Sequence, residues 1–170
     1  MGDDEQMENL WAPWRSIYIG KPQTGCIFCE KLNSDEDKKN LVIYRGDKTF
    51  VIMNLYPYNN GHLLIAPKRH VGDISELTDE ELLELNKMTQ FMVQAIRQAF
   101  GNPHGFNIGI NLGKAAGAGI PGHLHVHIVP RWEGDANFMA VIGDTRVISE
   151  GLERTYAKIA GAIAELKEKM

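Results

Sequence analysis

The chain has 170 residues, a net charge of −4, 44% hydrophobic and 24% charged residues, an ordinary balance for one globular domain with a real core. The acidic excess excludes the basic surface that carries nucleic-acid binding, so a phosphate ligand has to be held by local geometry. Residues 1–9 are polar and acidic, unlike a signal peptide, and no apolar run is long enough to span a bilayer.

Residues 1–40 read as an N-terminal arm and loop. Residues 9–14 are apolar enough to pack on the domain, and residues 33–39 are a polar, charged and mobile connection. Both cysteines fall in this stretch, in the motif Cys26-Ile-Phe-Cys29. Without an export signal, that spacing points to metal or redox use in a cytoplasmic protein.

Residues 41–45 and 49–53 are rich in β-branched and aromatic residues around Gly46-Asp-Lys48, the pattern of a hairpin. Residues 61–66 form a third strand, stopped by Pro67. Thr78-Asp-Glu-Glu81 is a capping box. It opens a helix whose apolar residues Leu82, Leu85, Met88, Met92, Ala95, Ile96 and Ala99 keep helical spacing until Gly101 and Pro103 close it. Residues 106–111 and 124–129 form two more strands, joined by the glycine-rich loop 113–119. A last amphipathic helix starts near Ser149, with Leu152, Tyr156, Ile159, Ile163 and Leu166 on one side. The order of elements favours α+β with an antiparallel sheet over a doubly wound fold.

His123-Leu-His-Val-His127 is the most informative segment. On a strand, alternate residues share a face, so three imidazoles point one way and Leu124, Val126 and Ile128 the other. A merely solvated face is the bland alternative, but Thr, Lys or Glu would serve it equally. Imidazole alone offers a neutral nucleophile or metal ligand near pH 7. Zinc on all three histidines is another alternative. Cys26 and Cys29, however, can grip one tetrahedral ion with His70, after the third strand, and His123, at the head of the histidine segment, as a structural Cys₂His₂ site. A redox pair or two buried cysteines are the competing readings. The redox version expects a βαβ setting, which this pattern lacks.

The segment His-Leu-His-Val-His-Ile-Val129 resembles the signature of the histidine triad family, three histidines alternating with apolar residues. The likeness runs from about Cys26 to Ile142. It includes Asn54 ahead of Asn60-Gly-His62, the Asn111-Leu-Gly113 turn and Pro130-Arg-Trp132. Residues 54–59 and 134–138 look like the bacterial branch similar to diadenosine tetraphosphate phosphorylases. The resemblance implies a five-stranded antiparallel sheet with two main helices, paired into a homodimer whose sheets run on as one. The chain then divides into the arm and zinc-binding loop (1–40), a histidine triad catalytic domain (41–145) and a C-terminal helix packed on it (146–170).

By the same resemblance His125 is the nucleophile that attacks an α-phosphorus, His127 contacts the phosphate oxygens and His62 backs that pocket. Asn111 carries an amide beside the phosphate, and Asn54 contacts the ribose. Ile27, Phe28, Met53 and Leu55 are candidates for the adenine slot, although each taken singly reads as core. Backbone N–H groups of Gly117, Ala118 and Gly119 are candidates for phosphate contacts. Many family members carry a serine or threonine in this loop, and here it is absent. The implied activity is transfer or hydrolysis of a nucleotidyl group, with diadenosine tetraphosphate favoured. An adenosine phosphoramidate hydrolase and a nucleotide-binding signalling module without turnover are the alternatives.

Overall fold

The computed structural model describes residues 25–135, 142, 148 and 150–169. The expected docking of residues 9–14 and the segment 136–138 lie outside them. Among the described residues, five strands form one fully antiparallel sheet: β1 (Val42–Arg45), β2 (Thr49–Met53), β3 (Leu63–Pro67), β4 (Gly105–Ile110) and β5 (Val126–Arg131), in the order β1-β2-β3-β5-β4.

Two stretches expected as loop are helical. The helix α1 spans Ile27–Leu32 and α2 spans Asp37–Asn40. The charged connection between them is fastened, because the Arg45 guanidinium bonds the Leu32 and Ser34 carbonyls and the Asp37 carboxylate. Six and four residues are too few to show an amphipathic period, so these helices depend on tertiary partners.

The long helices follow the sequence pattern. In α3 (Asp79–Phe100), Thr78 and Glu81 close the capping box from both sides, and Gly101 ends the helix at φ +68°. Leu85, Met88, Met92, Ala95 and Ile96 are buried. The helix α4 (Leu152–Glu168) starts three residues later than expected and buries Ile159, Ala162 and Ile163. Both helices cover one sheet face, against Val51, Met53, Leu63, Ile65, Leu124, Val126 and Ile128. At about 25 cal/mol per Å² of apolar surface, this layer is the main source of stability.

The opposite face carries a smaller cluster of Phe28, Val42, Phe50, Ile52, Leu64 and Ala66 under α1. Register aligns one row of residues across this face: Val42 with Ile52, Ile52 with Leu64, Leu64 with His127, and His127 with Gly109. Hydrogen-bonded pairing of β5 begins at Val126, so His125 stands at the strand's entrance instead of its middle. The strand continues through Pro130, where pairing with β3 has ended and β4 alone remains a neighbour.

Candidate active site and metal centre

The three histidines share the α1 face, as alternation requires. His123 and His125 are buried, and Phe28 lies against both rings with centroids 5.0 Å away. Phe28 was expected in the adenine slot. It is fully buried and supports the imidazoles from below.

Each imidazole is held in a different way. His125 turns Nδ1 to its neighbour's carbonyl, His123 O, at 2.8 Å. A carbonyl only accepts, so Nδ1 carries the proton and Nε2 keeps its lone pair. Burial lowers the His125 pKa, against the opposing pull of that carbonyl. The ring is therefore neutral near pH 7.

His127 is set by a relay. The Tyr58 backbone N–H donates to His62 Nδ1 at 3.1 Å, which makes that nitrogen an acceptor. His62 Nε2 then carries the proton and donates to His127 Nδ1 at 3.0 Å. His127 Nε2 is thereby left as an N–H donor. It is buried and has no hydrogen-bond partner among the described residues. A buried donor without a partner costs about 1–3 kcal/mol, which is recovered when an acceptor arrives. Burial, then the neighbouring His125, lowers the His127 pKa to about 4. The Tyr58 ring stacks on His127 at 5.9 Å and 6° between planes.

His62 reaches this position because Gly61 turns the chain at φ +76°. A side chain there would strike the Phe100 ring at 2.8 Å. The Asn54 amide lies 3.2 Å from His62 Nδ1, and its carbonyl oxygen accepts from the Tyr56 N–H at 3.0 Å.

His125 and His127 open onto a cleft of about 330 Å³, also lined by Ile27, Lys31, Asn54, Leu55, Gly117 and Gly119. Its apolar part lies over Ile52 and Leu64, in the row that leads to His127. At about 4.8 Å per strand, Ile52 is about 10 Å from His127. Ala118 and Asn111 do not line the cleft, and His62 acts behind His127. The loop supplies fewer amides than expected. Gly117 N and Ala118 N bond to Lys114 O and Gly113 O within the loop itself. Tyr58 and Lys31 were not foreseen. The Tyr58 donor to His62 is a backbone N–H, which leaves no residue-type signal, although its ring also stacks on His127.

Cys26, Cys29, His70 and His123 converge, with all ligand atoms within 4.8 Å of one another. Cys26 Sγ is 3.2 Å from His123 Nδ1, and Cys29 Sγ is 3.3 Å from His70 Nδ1. Bond lengths of about 2.3 and 2.0 Å in a tetrahedron place S and N about 3.5 Å apart, so the quartet has the size of a zinc site. His123 Nε2 donates to Pro67 O at 2.8 Å, which leaves Nδ1 to bind. Burial, then the adjacent Cys26 thiol, raises the Cys29 pKa. A divalent cation would reverse that balance. The donor set fits a metal, and the redox reading has no βαβ support in this topology.

Comparisons with known proteins agree with this geometry. The HIT domain family model matches residues 35–134, more than half of the chain. An AP-4-A phosphorylase of Mycobacterium tuberculosis is 39% identical over 169 residues, covering 94% of this chain and 86% of the relative. An asymmetrical bis(5'-nucleosyl)-tetraphosphatase of Schizosaccharomyces pombe is 38% identical over 94 residues, covering 55% and 50%. The crystal structure of a Zn-bound histidine triad family protein from Mycobacterium smegmatis superposes with a TM-score of 0.70 at 26% identity, covering 86% of this chain and 98% of that one.

Proposed function

The chain belongs to the histidine triad family, and from that premise we propose that it cleaves the α-phosphate bond of adenine nucleotides, with diadenosine tetraphosphate as the favoured substrate. The observation that carries this reading is the neutral His125 ring on the cleft, its Nδ1 proton tied to a carbonyl, which leaves Nε2 as the unprotonated nitrogen.

The nucleoside lies over Ile52 and Leu64, with Asn54 at the ribose and the α-phosphate between His125 and His127. His125 Nε2 attacks the α-phosphorus. A P–N bond forms, the P–O bond to the remaining polyphosphate breaks, and ATP leaves. The imidazolium produced keeps its proton on Nδ1, where the His123 carbonyl stabilises the new charge. This covalent nucleotidyl-histidine splits one hard displacement into two easier ones. His127 Nε2–H donates to the phosphoryl oxygens as their charge grows, and His62 holds His127 in that tautomer. Phosphate or water then attacks from the opposite side and releases ADP or AMP.

Cys26, Cys29, His70 and His123 would hold a structural zinc, whose chemistry is to cross-link α1 to the sheet. Cytoplasm suits thiolates that must stay reduced, and no helix among the described residues is long and apolar enough to cross a membrane. Strand β4 is an edge, with Ile108 exposed on it and Leu112 exposed just past its end, which supports edge-to-edge pairing of two copies into a homodimer.

Incubation with diadenosine tetraphosphate, with and without inorganic phosphate, tests the reading. ADP plus ATP formed only with phosphate identifies a phosphorylase, and AMP plus ATP without it a hydrolase. Turnover of an adenosine phosphoramidate alone would move the activity to that substrate. No turnover of either would leave a nucleotide-binding module.

A further inference from the structure

The helix α1 forms one wall of the cleft through Ile27 and Lys31, one turn apart. Its Phe28 supports His125 from below. A helix of six residues does not hold itself in water, so something must fasten each end. The cysteine quartet fastens the start. At the other end the last carbonyls have no intrahelical partners, and Arg45 on β1 supplies them. Its Nη1 donates to Leu32 O at 2.7 Å, and its Nη2 donates to Ser34 O at 2.8 Å and to Lys31 O at 3.3 Å. Asp37 takes Nε at 3.1 Å and shares Nη2 at 2.6 Å, which keeps the planar fork aimed at those carbonyls. The Asp37 hydrogen bond in turn raises the Arg45 pKa, so the cation is permanent.

All these partners belong to residues 31–37, the end of the cleft-wall helix and the connection that follows it. None is in the main core beneath α3 and α4. We propose that Arg45, which does not line the cleft, is a positioning residue for nucleotide binding that holds α1 against the cleft from the end opposite the cysteines. The proposal rests on the nucleotide reading above. His125 is oriented separately, by its own bond to His123 O, so loss of Arg45 weakens binding and spares the chemical step. Lysine cannot replace the fork, because one ammonium does not serve Leu32 O, Ser34 O and both Asp37 oxygens together.

The test uses zinc-loaded wild type, Arg45→Gln and Arg45→Lys. AMP affinity is measured by calorimetry, amide exchange by mass spectrometry, and kcat and KM with diadenosine tetraphosphate. Arg45→Gln should weaken AMP binding and raise KM about tenfold while kcat stays within about twofold, as expected for a displaced binding wall. Amides of residues 27–32 should exchange faster, those of α3 should not, and zinc content should be unchanged. Arg45→Lys should fall between the two and carries the test if the glutamine variant does not fold. A lower melting temperature with AMP affinity and α1 exchange unchanged would overturn the proposal and mark Arg45 as structural only. Wild type that binds AMP without turnover sinks the catalytic reading but leaves this one supported by the binding difference. Wild type that binds no AMP overturns both.

Discussion

His123 and His125 are two residues apart on one face, yet they offer opposite nitrogens. His123 gives its Nε2 proton to Pro67 O and presents Nδ1 to the cysteines. His125 gives its Nδ1 proton to His123 O and presents Nε2 to the cleft. In both, a backbone carbonyl selects the tautomer. The first carbonyl lies across the sheet and turns its imidazole into a metal ligand, while the second lies two residues back and leaves a nucleophile. His127, two residues further on, uses a third device, the relay from Tyr58 N–H through His62. The same residue type takes three roles because its neighbours decide which nitrogen keeps the proton.

The sharpest way to break this comparison is to remove the nucleophile. His125→Ala should lower kcat by several orders of magnitude, as for other deleted nucleophiles, while zinc content and AMP affinity persist. A small loss would mean that His125 does not form the covalent bond. The His62 relay should matter next. His62→Phe leaves the His127 tautomer unset, and the activity loss should approach, without exceeding, the roughly 10²–10³-fold cost of losing a direct phosphoryl donor. Full activity would show that His127 needs no partner to aim its proton.

At the other end, Cys26→Ser should reduce bound zinc from about one equivalent to a small fraction and lower the thermal midpoint. A loss of about 2 kcal/mol corresponds to roughly 4–8 °C for a chain of this size. A wild-type protein purified free of metal would remove the structural-zinc half of the comparison.

The last effect is a pH dependence, read without any substitution. His127 titrates near 6.5 when unfolded and at about 4 in the native protein. Between those values the unfolded chain binds a proton that the native chain does not, so stability falls as pH falls through this window and levels off below it. Below about pH 4 a proton on His127 Nδ1 would face the N–H of His62 and break the relay. Imidazole NMR should therefore show His127 neutral down to about pH 4, and a midpoint near 6.5 would contradict the buried relay.

Much of this was legible in the residues alone. Alternation placed His123, His125 and His127 on one face, and the capping box and apolar spacing marked α3. The cysteine spacing and two histidines named the metal quartet before any coordinates. The short helices α1 and α2 were missed because their stability comes from Arg45 and the cysteine quartet, and no local pattern carries that. The residues alone left Phe28 open between core and cleft wall, because an apolar residue beside a site reads the same whether it lines the cleft or underlies it.

By itself, the sequence determined which side chains meet, since strand and helix periods are properties of the local chain. Tertiary structure decided most of what each meeting does. The His125 proton is set locally, by a carbonyl two residues back, but the groups that set the other imidazole protons, Pro67 O, His62 and Tyr58 N–H, come from elsewhere in the chain, and a hydrogen bond is made by proximity in space, whatever the separation along the chain.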